Sequence, residues 1–239
     1  MKTNRDHTRV RASGAKTTPT HVTLAVVLQV RGGALQVLLW QRGKEPDAGR
    51  WALPGGYLGP GETLDDSLRG HLAVKVDVRD LSHLEQLGTW SDPERHPEEW
   101  QVATAYLGLV PRDVDPAVPE DTSWHPVDAL PPMAFDHRAI VLAGRERLRG
   151  KLSYTNLGFA LAPQSFTISE LRELYVAALG HDVSATNLQR VLVRRELLEE
   201  TGSRRAAGPS GGRPATVFRF RSRELAITDQ FAVLRPPDT

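Results

Sequence analysis

Residues 54–76 read PGGYLGPGETLDDSLRGHLAVKV. Four glycines (Gly55, Gly56, Gly59, Gly61) and two prolines take six of its first eight positions, which marks a tight loop. The composition then changes. Leu64, Leu68 and Leu72 recur four residues apart, so the spacing predicts a helix over 63–76 with one apolar side. Glu62, Asp65 and Asp66 fall at the start of that helix, where the macrodipole favours acids. Further along come Gly70, His71, Val74 and Lys75, and positions 71, 74 and 75 share one helix face.

Outward from this stretch, VTLAVVLQV (22–30) and LQVLLWQR (35–42) are apolar, β-branched runs around Arg31-Gly32-Gly33-Ala34, a hairpin pattern. WQVATAYLGLV (100–110) is a further strand, preceded by the polar, two-proline loop DPERHPEEW (92–100). DHRAIVLAGRERLRGKL (136–152) is a helix, with Asp136 as its expected cap. Strands interleaved with helices predict a mixed α/β layered domain over residues 21–150.

The character changes after a stretch read as a linker, residues 151–165. FTISELRELYVAAL (166–179) has Thr167 and Glu170 at capping-box spacing and Phe166 and Leu171 where a hydrophobic staple clamps a helix entry. Leu171, Leu174, Tyr175 and Ala178 form one buried face. After the turn GHDVS (180–184), a second helix is expected over 185–199, with Ser184 as cap, a Val183–Leu188 staple, and Leu188, Val191 and Leu192 inward. Two helices across a short glycine-bearing turn form a helix-turn-helix pattern. TGSRRAAGPSGGRPATVFRFRSR (201–223) then reads as a hairpin wing, with Phe218 and Phe220 alternating with Arg219 and Arg221. The second domain is thus expected over 166–239.

Side chains near the N-terminus of a helix in a major groove reach base edges. On the outer side of 185–199 lie Thr186, Asn187, Arg190 and Arg194, types that pair with phosphate or thymine, adenine and guanine. Arg195 lies closer to the inward side. The wing holds six arginines (Arg204, Arg205, Arg213, Arg219, Arg221, Arg223) and no acid between 201 and 223. Against the formal net charge of +1, the rest of the chain therefore sums to −5. Basic charge concentrated on one hairpin points to phosphate contact. Thr186, Asn187, Arg190, Arg194, Arg204, Arg205 and Arg213 are the DNA-binding candidates.

The 239 residues suffice for two modest domains. A near-zero net charge gives the molecule no global attraction to nucleic acid or membrane. The absence of cysteine excludes disulfides, thiol catalysis and cysteine-based zinc sites and fits a reducing cytoplasm. The N-terminus MKTNRDHTRVRASGAKTTPT is basic with no apolar run to serve as a secretory signal, and residues 1–20 read as a disordered basic tail. No run approaches a membrane span.

The stretch 51–78, WALPGGYLGPGETLDDSLRGHLAVKVDV, resembles a Nudix box. Gly56 and Glu62 match that signature, GRWALPGG before them matches closely, and AFDHRAIV (134–141) resembles a late helix start seen in many members. The resemblance implies an α/β/α sandwich. It also marks a departure: the signature's arginine and first glutamate are here Gly70 and His71, and its paired glutamates are Val74 and Lys75. In the hydrolases that face binds a divalent metal, which polarises the diphosphate and positions water. Hard cations want oxygen ligands, which valine and lysine do not supply. No catalytic and no metal-binding residue is therefore assigned, and hydrolysis is expected to be lost while binding is kept. Arg42 and Arg50 are candidates for phosphate contact. Trp51 stacks on a base or packs in the core. Lys75 either stands in for the lost cation or is a surface lysine. With Gly55, Gly56 and Glu62 these are the effector-binding candidates.

A Nudix-like domain followed by a winged helix-turn-helix, including SYTNLGFALAPQSF and GGRPATVFRF, resembles the Nudix-related transcriptional regulators of NAD metabolism in bacteria, the NrtR family. The overall class is then α+β. The resemblance implies a cytoplasmic homodimeric repressor on palindromic double-stranded operators before genes of NAD synthesis or salvage, released by ADP-ribose or a related nucleotide, with no cofactor and no membrane partner. A rotation around residues 150–165 is the expected lever. Two other classes stay open: a pyrophosphatase acting on ADP-ribose or another nucleoside-diphosphate derivative, and a protein-binding winged domain. A regulator responding to a sugar nucleotide or phosphoribosyl compound also stays open.

Overall fold

The computed structural model describes residues 18–79, 81–206 and 214–229. The tail reading for residues 1–17, and Arg213, lie outside the described residues.

Strands β1 (Thr20–Arg31) and β2 (Ala34–Gln41) form the expected hairpin. Gly32 and Gly33 turn it with φ of 56° and 78°, a conformation that side chains resist. Two short strands follow, β3 (Trp51–Ala52) and β4 (Gly55–Tyr57), then helix α1 (Leu64–Lys75), β5 (His83–Trp90), β6 (Gln101–Leu109) and β7 (Thr122–Pro126). The main sheet runs β3-β2-β1-β6-β5, with β4 added to β1 and β7 to β2. Among the named strands of this sheet β1 and β6 pair in parallel and the others pair antiparallel, with one isolated parallel bridge between Trp51 and Met133.

Both faces of the sheet are covered, which is why β1 reads as a continuous apolar run. Its Val22, Leu24, Val26, Leu28 and Val30 face one core, and Ala25 and Val27 face the other with Leu68 and Leu72 of α1. Helix α2 (His137–Tyr154) closes the first face through Ile140, Val141, Leu148 and Leu152. Gly144 lets α2 approach closely, since a Cβ there would stand 2.7 Å from Val26 Cγ1. The result is the α/β/α sandwich.

Asp136 precedes α2 but does not cap it with its side chain. Its two oxygens instead accept from Arg95 at 2.8 and 3.1 Å. A buried guanidinium demands a bidentate anion more strongly than a helix end demands a cap.

The segment 151–165, expected to be a linker, is packed. Helix α2 runs on to Tyr154, a 3-10 turn spans Leu157–Ala160, and Leu157, Phe159, Ala160, Leu161 and Ala162 are buried. Tyr175 lies against Gly158, where a Cβ would come within 2.4 Å of its hydroxyl.

Strand β8 (Phe166–Thr167) and helix α3 (Ile168–Leu179) follow, and the capping box is complete: Glu170 N–H donates to Thr167 Oγ1 and Thr167 N–H to Glu170 Oε2. Gly180 ends α3 in the left-handed region, and Arg149 of α2 donates to the Ala178 carbonyl there. Helix α4 spans Ala185–Arg194, capped by Ser184. It is shorter than the expected 185–199: Glu196 takes φ of 55°, and Leu197 and Leu198 turn inward to begin β9 (Leu198–Arg205). Strand β10 (Ala215–Phe220) completes a three-stranded sheet, β8-β10-β9, with Phe218 and Phe220 buried.

Candidate functional site

Gly55 is fixed by strand pairing: opposite Leu24 on β1, it sits so close that a Cβ would stand 2.0 Å from the Thr23 carbonyl oxygen. Gly56 leaves room for the His71 ring, which would lie 2.5 Å from a Cβ at that position. From α1, His71 Nε2 lies 2.9 Å from the Tyr57 carbonyl oxygen, and Lys75 Nζ donates to the Gly55 carbonyl at 2.6 Å. The two residues at the signature's lost acid positions thus bind the backbone of the glycine loop. Val74 between them is 84% exposed.

Lys75, Gly55 and Gly56 line a cleft of about 470 Å³ in which Arg42, Lys44, Trp40, Tyr57, Phe135 and His137 converge from separate elements. That volume suits a small-molecule ligand. Lys75 Nζ lies 5.2 Å from the centre of the Trp40 ring. Burial, helped by the positive charge of Arg42, pulls its pKa below the ordinary lysine value. Arg42 lies over the Phe135 ring at 4.7 Å, and the His96 ring stacks on Phe135 with centroids 4.9 Å apart. Phe135 holds φ of 50°, pinned by its N–H to Asp47 Oδ2 at 3.0 Å. A bulky residue in that region is strained, and such strain clusters at ligand clamps.

His137 opens α2 and is buried. Its Nδ1 accepts from the Leu53 N–H at 3.0 Å, so the ring proton of the neutral form resides on Nε2. Burial, then Arg95 and Arg42, pushes its pKa down to about 3. The cleft therefore holds a neutral imidazole beside its cations.

The surviving acids serve the loop and the helix start. Glu62 Oε2 accepts from Gly59 N–H at 2.9 Å, Asp66 accepts from Thr63 Oγ1 at 2.7 Å, and Asp65 pairs with Arg69 at 2.7 Å. Among the described residues no group of three or more His, Asp or Glu side chains is placed to hold a metal ion. Where the Nudix signature has glutamates at 71, 74 and 75, this chain has histidine, valine and lysine.

Of the effector-binding candidates, the cleft brings together Arg42, Gly55, Gly56 and Lys75. The others stand apart. Arg50 pairs with Asp47 at 3.3 Å and donates to the Met133 carbonyl. Trp51 is half-buried, edge-on to His125 at 4.2 Å and packed on the core. Glu62 is occupied in its loop. The cleft residues that sequence reasoning missed are Trp40, Lys44, Tyr57, His96, Phe135 and His137. Trp40, Tyr57, His96, Phe135 and His137 lie in stretches that read as a strand, a glycine loop, a polar loop and a helix start, with nothing local to mark them as cleft residues. A second concavity of about 510 Å³, between β5 and α2, contains none of the candidates.

On the other domain, Thr186, Asn187, Arg190 and Arg194 are all exposed on α4. Asn187 Oδ1 accepts from Arg190 Nη2 at 2.8 Å, which orients both side chains. Arg195 is half-buried and bonded to Asp229 at 2.8 Å. On the wing Arg205 pairs with Glu170 and Arg219 with Glu199. Arg221 donates to the Leu198 carbonyl, and Arg223 to those of Phe159, Ala162 and Pro163. Arg204 is exposed and has no partner among the described residues. Much of the wing's charge is thus engaged in holding the domain together.

Comparison with known proteins agrees in both halves. The NUDIX domain model matches residues 19–143, and the model of the NrtR DNA-binding winged helix domain matches residues 158–220. The chain is 32% identical over 203 residues to the ADPR responsive transcriptional repressor NtrR of Acinetobacter baylyi, covering 81% of this chain and 79% of that protein. It is 28% identical over 114 residues to an ADP-ribose pyrophosphatase of Methanocaldococcus jannaschii, covering 44% of this chain and 63% of that one. Shewanella oneidensis NrtR, solved in complex with a 27mer DNA, aligns with a TM-score of 0.73 at 31% identity over 84% of this chain and 93% of its own. No helix among the described residues is long and apolar enough to cross a membrane. The chain belongs to the NrtR family of Nudix-related transcriptional regulators, with a Nudix domain followed by a DNA-binding winged helix domain.

Proposed function

We propose that the chain is a transcriptional repressor of NAD biosynthesis or salvage genes that ADP-ribose, or a related nucleotide, releases from DNA. One observation carries this: the likeness to a protein solved on DNA and to a repressor described as ADPR responsive runs through both domains of this chain. The cleft supports the effector half. Arg42, Lys44 and Lys75 offer charge to a diphosphate, while Trp40, Tyr57 and Phe135 offer rings to a base or ribose.

In this account Thr186, Asn187, Arg190 and Arg194 meet bases, and Arg204, Arg205 and Arg213 meet phosphates. A homodimer would set two α4 helices about 34 Å apart along a palindromic operator. The protein acts in the cytoplasm, where its operators are. A sensor needs affinity and not turnover, because a hydrolase would destroy its own signal. The effector must bind the DNA-free arrangement better than the DNA-bound one, and a coupling of about 1–3 kcal/mol weakens DNA binding by about 5–150-fold.

The test is fluorescence anisotropy on promoter DNA from NAD-biosynthesis genes, titrated with ADP-ribose at fixed salt. Specific binding that ADP-ribose weakens is the expected result. Binding no better than to a scrambled duplex removes the regulator function for those genes. The likeness to an ADP-ribose pyrophosphatase favours hydrolysis as the second reading. Magnesium-dependent turnover of ADP-ribose would establish it.

A further inference from the structure

Two facts about α1 meet at one point in the cleft. The face that binds a divalent metal in the Nudix hydrolases lacks the ligands for one, since its positions hold His71, exposed Val74 and Lys75. At that same face Lys75 delivers an ammonium group into the cleft, with Nζ 2.6 Å from the Gly55 carbonyl oxygen.

An ammonium has three donors, and Gly55 takes one of them. The Trp40 ring beside it supplies a cation-binding face and shields the charge from water. His71 lies against the carbonyl two residues further on, that of Tyr57, so the glycine strand is tied to α1 at two successive turns of the helix. In the hydrolases this face neutralises the diphosphate through bound divalent metal. Here two side-chain-to-carbonyl bonds tie the loop to α1, and the ammonium keeps two further donors and its charge for a ligand. Lys44 and Arg42 line the same cleft and add to that charge.

We propose that Lys75 is a built-in cation that replaces the divalent metal, so that the cleft binds a diphosphate-bearing nucleotide without any metal ion. This rests on the effector function proposed above and deepens it. A sensor of this design reports nucleotide concentration independently of the magnesium supply. It also lacks the polarised water that hydrolysis requires, because an ammonium binds phosphate as a point charge and activates nothing.

The experiment is isothermal titration of the full chain with ADP-ribose, once with EDTA and once with millimolar magnesium, for the wild type, Lys75→Met and Lys75→Arg. The expected wild-type Kd agrees between the two buffers within about twofold, and Lys75→Met raises it by about tenfold or more in both. Lys75→Arg keeps the charge and retains binding in EDTA. Wild-type binding that appears only with magnesium overturns the assignment of Lys75 while leaving the effector intact. Lys75→Met binding as tightly as wild type overturns it as well. If Lys75→Met does not fold, the wild-type buffer comparison and Lys75→Arg still decide. A wild type that binds no ADP-ribose in either buffer overturns the effector function itself, and the Lys75 assignment with it.

Discussion

Arg195, the residue that closes α4, donates through Nη2 to Asp229 Oδ2 at 2.8 Å, and this pair ties the end of α4 to the segment that packs on the end of α2. The segment carrying Asp229 lies back along the domain junction. Tyr154, the last residue of α2, accepts through its carbonyl from the N–H groups of Thr228 and Asp229. Asn156 binds the same segment on both sides, donating to the Glu224 carbonyl and accepting from the Ala226 N–H at 2.8 Å each. Helix α2 begins in the cleft with His137 and its 18 residues span about 27 Å. Helix α2 and the 224–229 segment bonded to its end thus form a chain of contacts from the cleft to the base of α4. The expected pivot at 150–165 is occupied by buried side chains, so motion must pass through packed surfaces instead of a free linker.

Breaking that pair should uncouple the two sites. Arg195→Met keeps the aliphatic stem and removes the bond, with a stability loss of about 1 kcal/mol or less for a partly exposed pair. The expected outcome is normal ADP-ribose affinity with a reduced effect of ADP-ribose on operator affinity. Anisotropy titrations with and without ADP-ribose measure both. A variant with the full wild-type response would show that the coupling takes another route.

His137 predicts an acid-side loss of stability. Its folded pKa is about 3, against about 6.5 in the unfolded chain. Between those values the unfolded state binds one more proton, so this group's contribution is complete above about pH 6.5 and falls as pH drops through the window. The slope for one proton is about 1.4 kcal/mol per pH unit. His125, also pushed down by burial, acts in the same direction. Urea unfolding at about pH 7.5 and about pH 5 should show a smaller loss in His137→Gln than in wild type. Equal losses would mean that His137 carries a proton in the folded protein.

The helix-turn-helix was legible because its signals are local. The Thr167–Glu170 box, the Ser184 cap and the apolar stripe of α3 each lie within a few residues and are present, and on α4 Leu188 and Leu192 are buried while Val191, also expected inward, is half-buried. The glycine loop was legible for the same reason. The cleft was only half so. Arg42, Gly55, Gly56 and Lys75 sit near one another in the sequence, but Phe135, His96 and His137 reach the cleft through the fold, across a loop and a helix start far along the chain. Nothing local distinguishes them: His137 looks like a helix-start polar residue, and the positive φ of Phe135 is imposed by Asp47, some ninety residues away. Arg50 and Trp51 went the opposite way. They look like cleft residues because they adjoin the glycine loop, yet the β3 backbone turns them toward Asp47 and His125. Length errors came from competition between neighbours, as where α4 yields to β9 because Leu197 and Leu198 gain more from burial than from another helical turn.

The capping box gives a stability prediction. Thr167→Ala removes the acceptor for the Glu170 N–H and should destabilise the winged domain by about 1 kcal/mol. Thr167→Ser should retain most of it. Glu170→Ala should be worse than Thr167→Ala, because Glu170 also accepts from the Thr167 N–H and pairs with Arg205 on the wing. Thermal unfolding of the three variants gives the order, and equal melting points for Glu170→Ala and wild type would show that neither tie contributes.

The DNA face separates two kinds of arginine. Arg190 donates to Asn187 on the exposed side of α4, and this pair is expected to meet bases. Arg204 stands exposed on β9 with no side-chain partner among the described residues, and it is expected to meet phosphate. Arg190→Ala should lose about 1–3 kcal/mol on the cognate operator and discriminate less at one base pair. Arg204→Ala should weaken binding to cognate and scrambled DNA alike and lower the slope of log K against log salt by about 1. Arg205, already tied to Glu170, must leave that pair to reach a phosphate, so Arg205→Ala should change the salt slope less than Arg204→Ala. Salt titrations of the three variants on both duplexes distinguish these outcomes. If Arg190→Ala and Arg204→Ala weakened every sequence equally, α4 would be lying on the backbone, and the bases would have to be read by another element.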